Sequence, residues 1–242
     1  AMTPPNTPLL VANGANPLVV VVPEFDTRSI GQSNPLASGT NIITVTLVTS
    51  VDLEQGSVVT ISGLRNVVVA GDSDFISLSD FVTLIDVENN GGSLFSDGSI
   101  QGRGAWSSGT LTLTVHTGQT VTAGTEYIFS FQVTNPSGAQ NAATVLIAAS
   151  GTVSLASVSM TTDTPELYGV AEGGKPMKVI VPSFSASAIG QSTPIAGATV
   201  TVSVTLMANI DFPTGSKVTI VGLTGTLTTN NNVLAVLSTD GS

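Results

Sequence analysis

Pro23-Glu24-Phe25, followed by Ser29-Ile30-Gly31-Gln32-Ser33-Asn34-Pro35, returns later in the chain as Pro182-Ser183-Phe184 and Ala188-Ile189-Gly190-Gln191-Ser192-Thr193-Pro194. The match runs without a gap from residues 23–64 to residues 182–223, at a constant offset of about 159 residues and with about half of the positions identical. This is an internal repeat. A unit of that length reads as a β module rather than one coil of a solenoid, and tandem arrays of such units serve as extracellular scaffolds more often than as catalysts.

Outward from the duplicated stretch, the sequence alternates with period two. Ile43, Val45 and Leu47 alternate with Thr44 and Thr46, and the second copy repeats the pattern as Val202, Val204 and Leu206 against Ser203 and Thr205. Both read as half-buried strands. The Ser29–Pro35 stretch reads as a loop whose turns are set by Gly31 and Pro35. Gly56-Ser57 and Gly215-Ser216 make the next turn, leading to Val59 and Ile61, or Val218 and Ile220, on the inner face of another strand. Further on, Leu111, Leu113 and Val115 alternate with threonines, as do Tyr127, Phe129, Phe131 and Val133 with Ser130, Gln132 and Thr134. Thr122-Ala123-Gly124-Thr125 reads as the reversal between these two strands. A last pair spans residues 145–148 and 153–158. No helical period of useful length occurs.

The expected fold is therefore all-β: Ig-like antiparallel β-sandwich modules in tandem. Residues 1–16 read as a tag remnant (Ala1-Met2) and a lead-in linker, residues 17–160 as the first sandwich repeat, 161–175 as a linker, and 176–242 as a second, incomplete repeat. The second copy stops before any equivalent of Trp106 or of the aromatic strand, which predicts unpaired edges in search of cover.

Composition narrows the function. Charged residues are 9 % of the chain, yet acids outnumber bases by 16 to 6, for a net charge of −10. Such a chain has no basic patch to neutralise phosphates, so nucleic acid and anionic membranes are poor partners. The strongest apolar run, residues 17–22, is far too short to span a bilayer, so no membrane insertion is expected. There is no cysteine, which removes disulfides and thiolate metal sites.

Catalytic chemistry has few candidates. His116 is the sole histidine and carries no recognisable triad motif; it reads as a strand-end surface residue. Paired acids for glycoside hydrolysis have no sequence signature here, and no cofactor is expected. Calcium asks only for clustered hard oxygens, and Asp72 and Asp74 in a glycine-flanked loop are the best candidate ligands, ahead of residues 86–90 and of Glu24 with Asp26. None matches an EF-hand loop. Asp52 and its counterpart Asp211 read as capping residues that accept backbone N–H bonds. Trp106, the single tryptophan, reads first as a packing residue and second as a ligand-binding platform for a sugar ring. Gln32 and Gln191 read as residues that tie down a loop by bonding backbone groups.

The duplicated loop, the Val-Thr-Ile-x-Gly-Leu strand ends (residues 59–64 and 218–223) and the Thr-Leu-Thr-Leu-Thr-Val and Tyr-Ile-Phe-Ser-Phe-Gln-Val strands resemble the tandem modules of very large cell-surface proteins of unicellular algae and similar protists. More distantly they resemble the immunoglobulin-like repeats of bacterial adhesins. The resemblance implies an extracellular, cell-surface array and supplies no active-site positions. The function expected is a non-enzymatic structural or adhesive repeat of a large surface or filament protein, whose partners are neighbouring repeats or copies of itself. The alternative is a carbohydrate- or calcium-binding sandwich module, with glycans or calcium as ligand.

Overall fold

The computed structural model of the chain describes residues 14, 20–69, 80–162, 164–228 and 234–237. Among them all regular structure is β and no helix occurs. The chain divides into two compact units, residues 1–211 and 212–242.

The first unit contains two packed sheets. In the first, β1 (Phe25–Gln32) pairs antiparallel with β2 (Thr40–Thr49), which pairs antiparallel with β10 (Tyr127–Thr134). The outer edge of β10 is covered by two short strands, β4 (Val68–Val69) and β6 (Ile85–Glu88), and β13 (Thr161–Thr162) lies parallel to β1. The second sheet runs in the order β12 (Leu155–Ser159), β11 (Leu146–Ser150), β3 (Val58–Ser62), β9 (Thr110–Val115), β8 (Arg103–Ser107) and β5 (Asp80–Thr83). A two-residue strand, β7 (Phe95–Ser96), also pairs with β9.

Period-two alternation accounts for the packing. Ile43, Val45 and Leu47 of β2 and Phe129 and Phe131 of β10 point inward, as do Val59 and Ile61 of β3 and Leu111 and Leu113 of β9, and all are fully buried in one core. Removing each such side chain from water contributes about 1.5–3 kcal/mol. Aromatic contacts join the layers: the Phe95 ring meets Phe129 edge-on at 5.8 Å, and Trp106 meets Phe131 at 6.3 Å between centroids. The architecture is a β-sandwich.

Three readings of the sequence are corrected here. Residues 29–32 are not loop: β1 continues through Gln32, and its counterpart β14 (Phe184–Gln191) continues through Gln191. Ladder pairing with β2 overrides the weak strand preference of Gly31 and Gln32. The segment around Thr122–Thr125 does not join neighbouring strands, because β9 belongs to one sheet and β10 to the other. It is a crossover between layers, and Tyr127 Oη accepts the Thr122 N–H within it at 3.1 Å. In the second unit, residues 217–221 form no strand. Their counterpart β3 is held between β9 and β11, and among the described residues nothing flanks 217–221 in that way.

The second copy forms one two-stranded sheet, β14 with β15 (Val202–Ala208). It reproduces the β1–β2 hairpin in detail. The register slips at Phe25/Thr27 in one copy and at Phe184/Ala186 in the other, a bulge at the same place. Ser33 Oγ accepts the Ile42 N–H at 2.9 Å, and Ser192 Oγ accepts the Thr201 N–H at 3.0 Å. Ser50 Oγ accepts the Glu24 N–H, and Asn209 Oδ1 accepts the Ser183 N–H in its place.

Candidate functional site

A buried polar cluster lies at one end of the first sandwich, where β1 ends, β2 begins and β10 ends. Gln32, the last residue of β1, is 7 % exposed. Its side-chain Nε2 donates to the carbonyls of Gly173 at 2.9 Å and Lys178 at 2.8 Å. Its Oε1 accepts the Met177 N–H at 2.8 Å and Asn41 Nδ2 at 3.1 Å. One primary amide has two donors and two acceptor lone pairs, so Gln32 is saturated.

Two further amides extend the network. Asn41 Oδ1 accepts the N–H groups of Ser33 and Asn34, each at 3.1 Å, while its Nδ2 also donates to Asn135 Oδ1 at 2.9 Å. Asn135 Nδ2 donates to the carbonyls of Asn34 and Leu36. The chain Gln32–Asn41–Asn135 thus holds the 33–39 loop on one side and the incoming 173–178 segment on the other. Buried and fully satisfied, such a network specifies one arrangement, because any slip orphans several polar groups at once.

The captured segment takes in the end of the stretch read as a linker, residues 161–175, and the start of the second repeat. It folds through successive turns: Gly173 N donates to Val170 O, Gly174 N to Pro165 O and Lys175 N to Glu172 O. A Cβ on Gly174 would lie 2.5 Å from Cγ of Pro165, so the tight turn requires glycine there. Residues 177–180 are then gripped from both sides. Gln140 and Val179 exchange N–H and carbonyl bonds at 2.9 Å each, and Gln140 Nε2 donates to Met177 O at 2.7 Å. Opposite, Ile180 N donates to Pro35 O and Ala37 N to Ile180 O. Val170, Met177 and Val179 are buried. Val20, the counterpart of Val179 ahead of the first copy, is exposed; the same apolar segment is covered where a module end receives it.

The other candidate residues fall elsewhere. Trp106 sits on β8 and is 8 % exposed, in contact with Phe131. Asp72 and Asp74 lie outside the described residues. Asp86 accepts the N–H and the hydroxyl of Ser93, and Asn89 donates to Glu126 O at 2.7 Å, so both are engaged in holding their loop. Among the described residues no three His, Asp or Glu side chains cluster as a metal site. Asp52 Oδ1 accepts the Ala123 N–H at 2.8 Å, a cap on the crossover segment rather than on its own turn. His116 follows β9, and its backbone N–H donates to Leu94 O at 2.8 Å. One concavity of about 260 Å³ is lined by residues 142–145, Met160, Thr162 and Lys175; its only titratable side chain is Lys175.

Gln32 does bond backbone groups, but those of a segment more than a hundred residues away. Asn41, Asn135 and Gln140 were missed in the sequence. Asn41 carried a signal: it continues the inner-face series Asn41, Ile43, Val45, Leu47, where an apolar residue belongs, and the second copy does place Val200 there. A polar residue at a core position demands partners.

The site recognises backbone through neutral amides. Compared with models of known protein families and with the sequences of curated proteins, the chain matches none.

Proposed function

We propose that the chain is a non-enzymatic structural repeat: Ig-like β-sandwich modules in tandem, in which the end of one module fixes the segment that leads into the next. Saturation of the Gln32 amide by Gly173, Met177, Lys178 and Asn41 carries this reading. A flexible spacer would leave its linker solvated. Here the linker is bound by side chains whose partners are backbone groups and other neutral amides. The mechanism is mechanical. Backbone ladders resist extension within the module, and the amide network passes load across the joint. Placement in a large surface or filament protein outside the cell follows from the resemblance to tandem surface modules, and neighbouring repeats are the natural partners.

A calcium titration and a glycan array, each read by melting temperature, test this against a ligand-binding module. A specific ligand raises stability by mass action. The structural reading expects no saturable rise from either; a calcium-dependent rise reversed by chelation, or a glycan-dependent rise, would overturn it.

A further inference from the structure

Ile180 and Ser183 are held by different copies, with only Val181 and Pro182 between them. Ile180 exchanges backbone bonds with the first sandwich, donating to Pro35 O and accepting the Ala37 N–H. Ser183 is held at the base of the β14–β15 hairpin: its N–H donates to Asn209 Oδ1, its carbonyl accepts the Asn209 N–H, and Asn209 Nδ2 donates to Val181 O. With that attachment alone the hairpin still swivels about Val181, since Pro182 fixes only its own φ.

A second attachment lies upstream. Leu167 and Val170 exchange backbone bonds at 3.3 and 2.9 Å around a tight turn, and its central residues, Tyr168 and Gly169, both take left-handed φ, 54° and 69°, as in a type I′ turn. The turn presents the Tyr168 carbonyl to the second copy, where the Asp211 N–H donates to it at 2.8 Å. The Asp211 side chain closes over the turn: a Cβ on Gly169 would lie 2.7 Å from its Cγ and Oδ1. The turn is itself anchored to the first sandwich. Val170 is buried, its carbonyl accepts the Gly173 N–H, and the Gly173 carbonyl accepts Gln32 Nε2.

The linker sequence sets this joint apart from the lead-in to the first copy. At the same offset, Val11-Ala12, Gly14 and Pro17 match Val170-Ala171, Gly173 and Pro176, but Leu9-Leu10 stand where Tyr168-Gly169 make the turn. Leucine at position 169 would meet both a left-handed φ and the Asp211 carboxylate.

We infer that the Leu167–Val170 turn is a latch, which locks the β14–β15 hairpin to the first sandwich through Asp211. One attachment makes a hinge; two, on separate stretches of chain, remove it, because rotation about Val181 carries Asp211 away from Tyr168. The latch opens by loss of a single backbone bond and a close approach, without disturbing the Gln32 network. The inference rests on the proposed reading of the two copies as successive modules.

The test places spin labels on Gln132→Cys of β10 and Ser203→Cys of β15 in the full chain, which has no other cysteine. The distribution of distances between the labels is then measured by pulsed electron resonance, beside amide exchange. One narrow distance peak is expected, with the Asp211 amide protected. Gly169→Leu, which blocks the turn, and Asp211→Pro, which removes the donor from the other side, should each broaden the peak while the melt of the first sandwich and the slow exchange of Met177, Val179 and Ile180 persist. A broad peak in the chain that carries only the two labels, or a peak that stays narrow in both variants, overturns the latch. Exchange at residues 177–180 tells the two failures apart: slow there, the latch alone is lost; fast there, the captured linker and with it the repeat reading are lost too.

Discussion

Gln32 Oε1 accepts the backbone N–H of Met177 at 2.8 Å, joining residues 145 positions apart in the chain. The contact converts a sequence that looks like a spacer into part of the module that precedes it. Removing the amide leaves the Met177 N–H, the Gly173 and Lys178 carbonyls and one Asn41 donor without that partner. A buried polar group left unsatisfied costs about 1–3 kcal/mol. Gln32→Leu is therefore expected to destabilise the first sandwich by about 2–4 kcal/mol, measured by urea denaturation, whereas Gln191→Leu in the exposed second hairpin should change little.

Asn41 and Val200 occupy the same place in the two copies, and only the first has amides around it. Asn41→Val strands the Asn34 N–H and the Oδ1 of Asn135, while the Ser33 N–H keeps its bond to the Ile42 carbonyl. We expect a loss of about 2–4 kcal/mol, although the new residue is the better strand former. A neutral or stabilising result in the melt would mean that the amide chain is incidental.

Leu47 and Leu206 are the same residue in the same strand position, one buried and one exposed. Leu47→Ala should cost about 2–5 kcal/mol through lost burial and the cavity left behind. Leu206→Ala should cost less than about 1 kcal/mol. Equal losses would show that the second hairpin is covered in solution.

Trp106→Ala separates packing from recognition. The ring fills core space beside Phe131, so truncation should lower stability by about 3–5 kcal/mol. Loss of glycan capture with an unchanged melt would instead make it a binding platform.

Low pH gives a further check. Hydrogen bonding and charge from Lys175, at 2.5 Å, hold the Glu172 carboxyl below its ordinary range. A lowered folded value contributes stability above the unfolded value that disappears as the pH falls through the folded one. The Glu172 side chain is solvent-exposed, so the pair is screened and weak. Glu172→Gln should accordingly leave the acid limb of the stability curve where it is, as read by melting temperature between neutral and acidic pH.

Much of the sandwich was legible because burial on one face of a strand writes period two into the sequence. Ile43, Val45 and Leu47, and Phe129 and Phe131, show it directly, and all are buried as the alternation requires. Pairing order was not legible. Nothing in Thr122–Thr125 distinguishes a hairpin from a crossover, since both need a polar turn, and which sheet β10 joins is decided by long-range burial. Ser29–Gln32 was misread because glycine and glutamine are poor strand formers, a local preference that the β1–β2 ladder overrides. The amide network was hidden for a different reason. Its ligands are backbone groups of residues 173–178, and backbone carries no side-chain signature; only Asn41, polar at an inner-face position, betrayed it.

The central claim is that the first module binds the segment leading to the second copy. Amide hydrogen exchange across residues 173–180 tests it most directly. Met177, Val179 and Ile180 donate their N–H groups to Gln32, Gln140 and Pro35. The account predicts that these three amides exchange as slowly as those of β2, and that Gln32→Leu releases them before the sheet itself. Exchange at the rate of a solvated linker in the unaltered chain would contradict it.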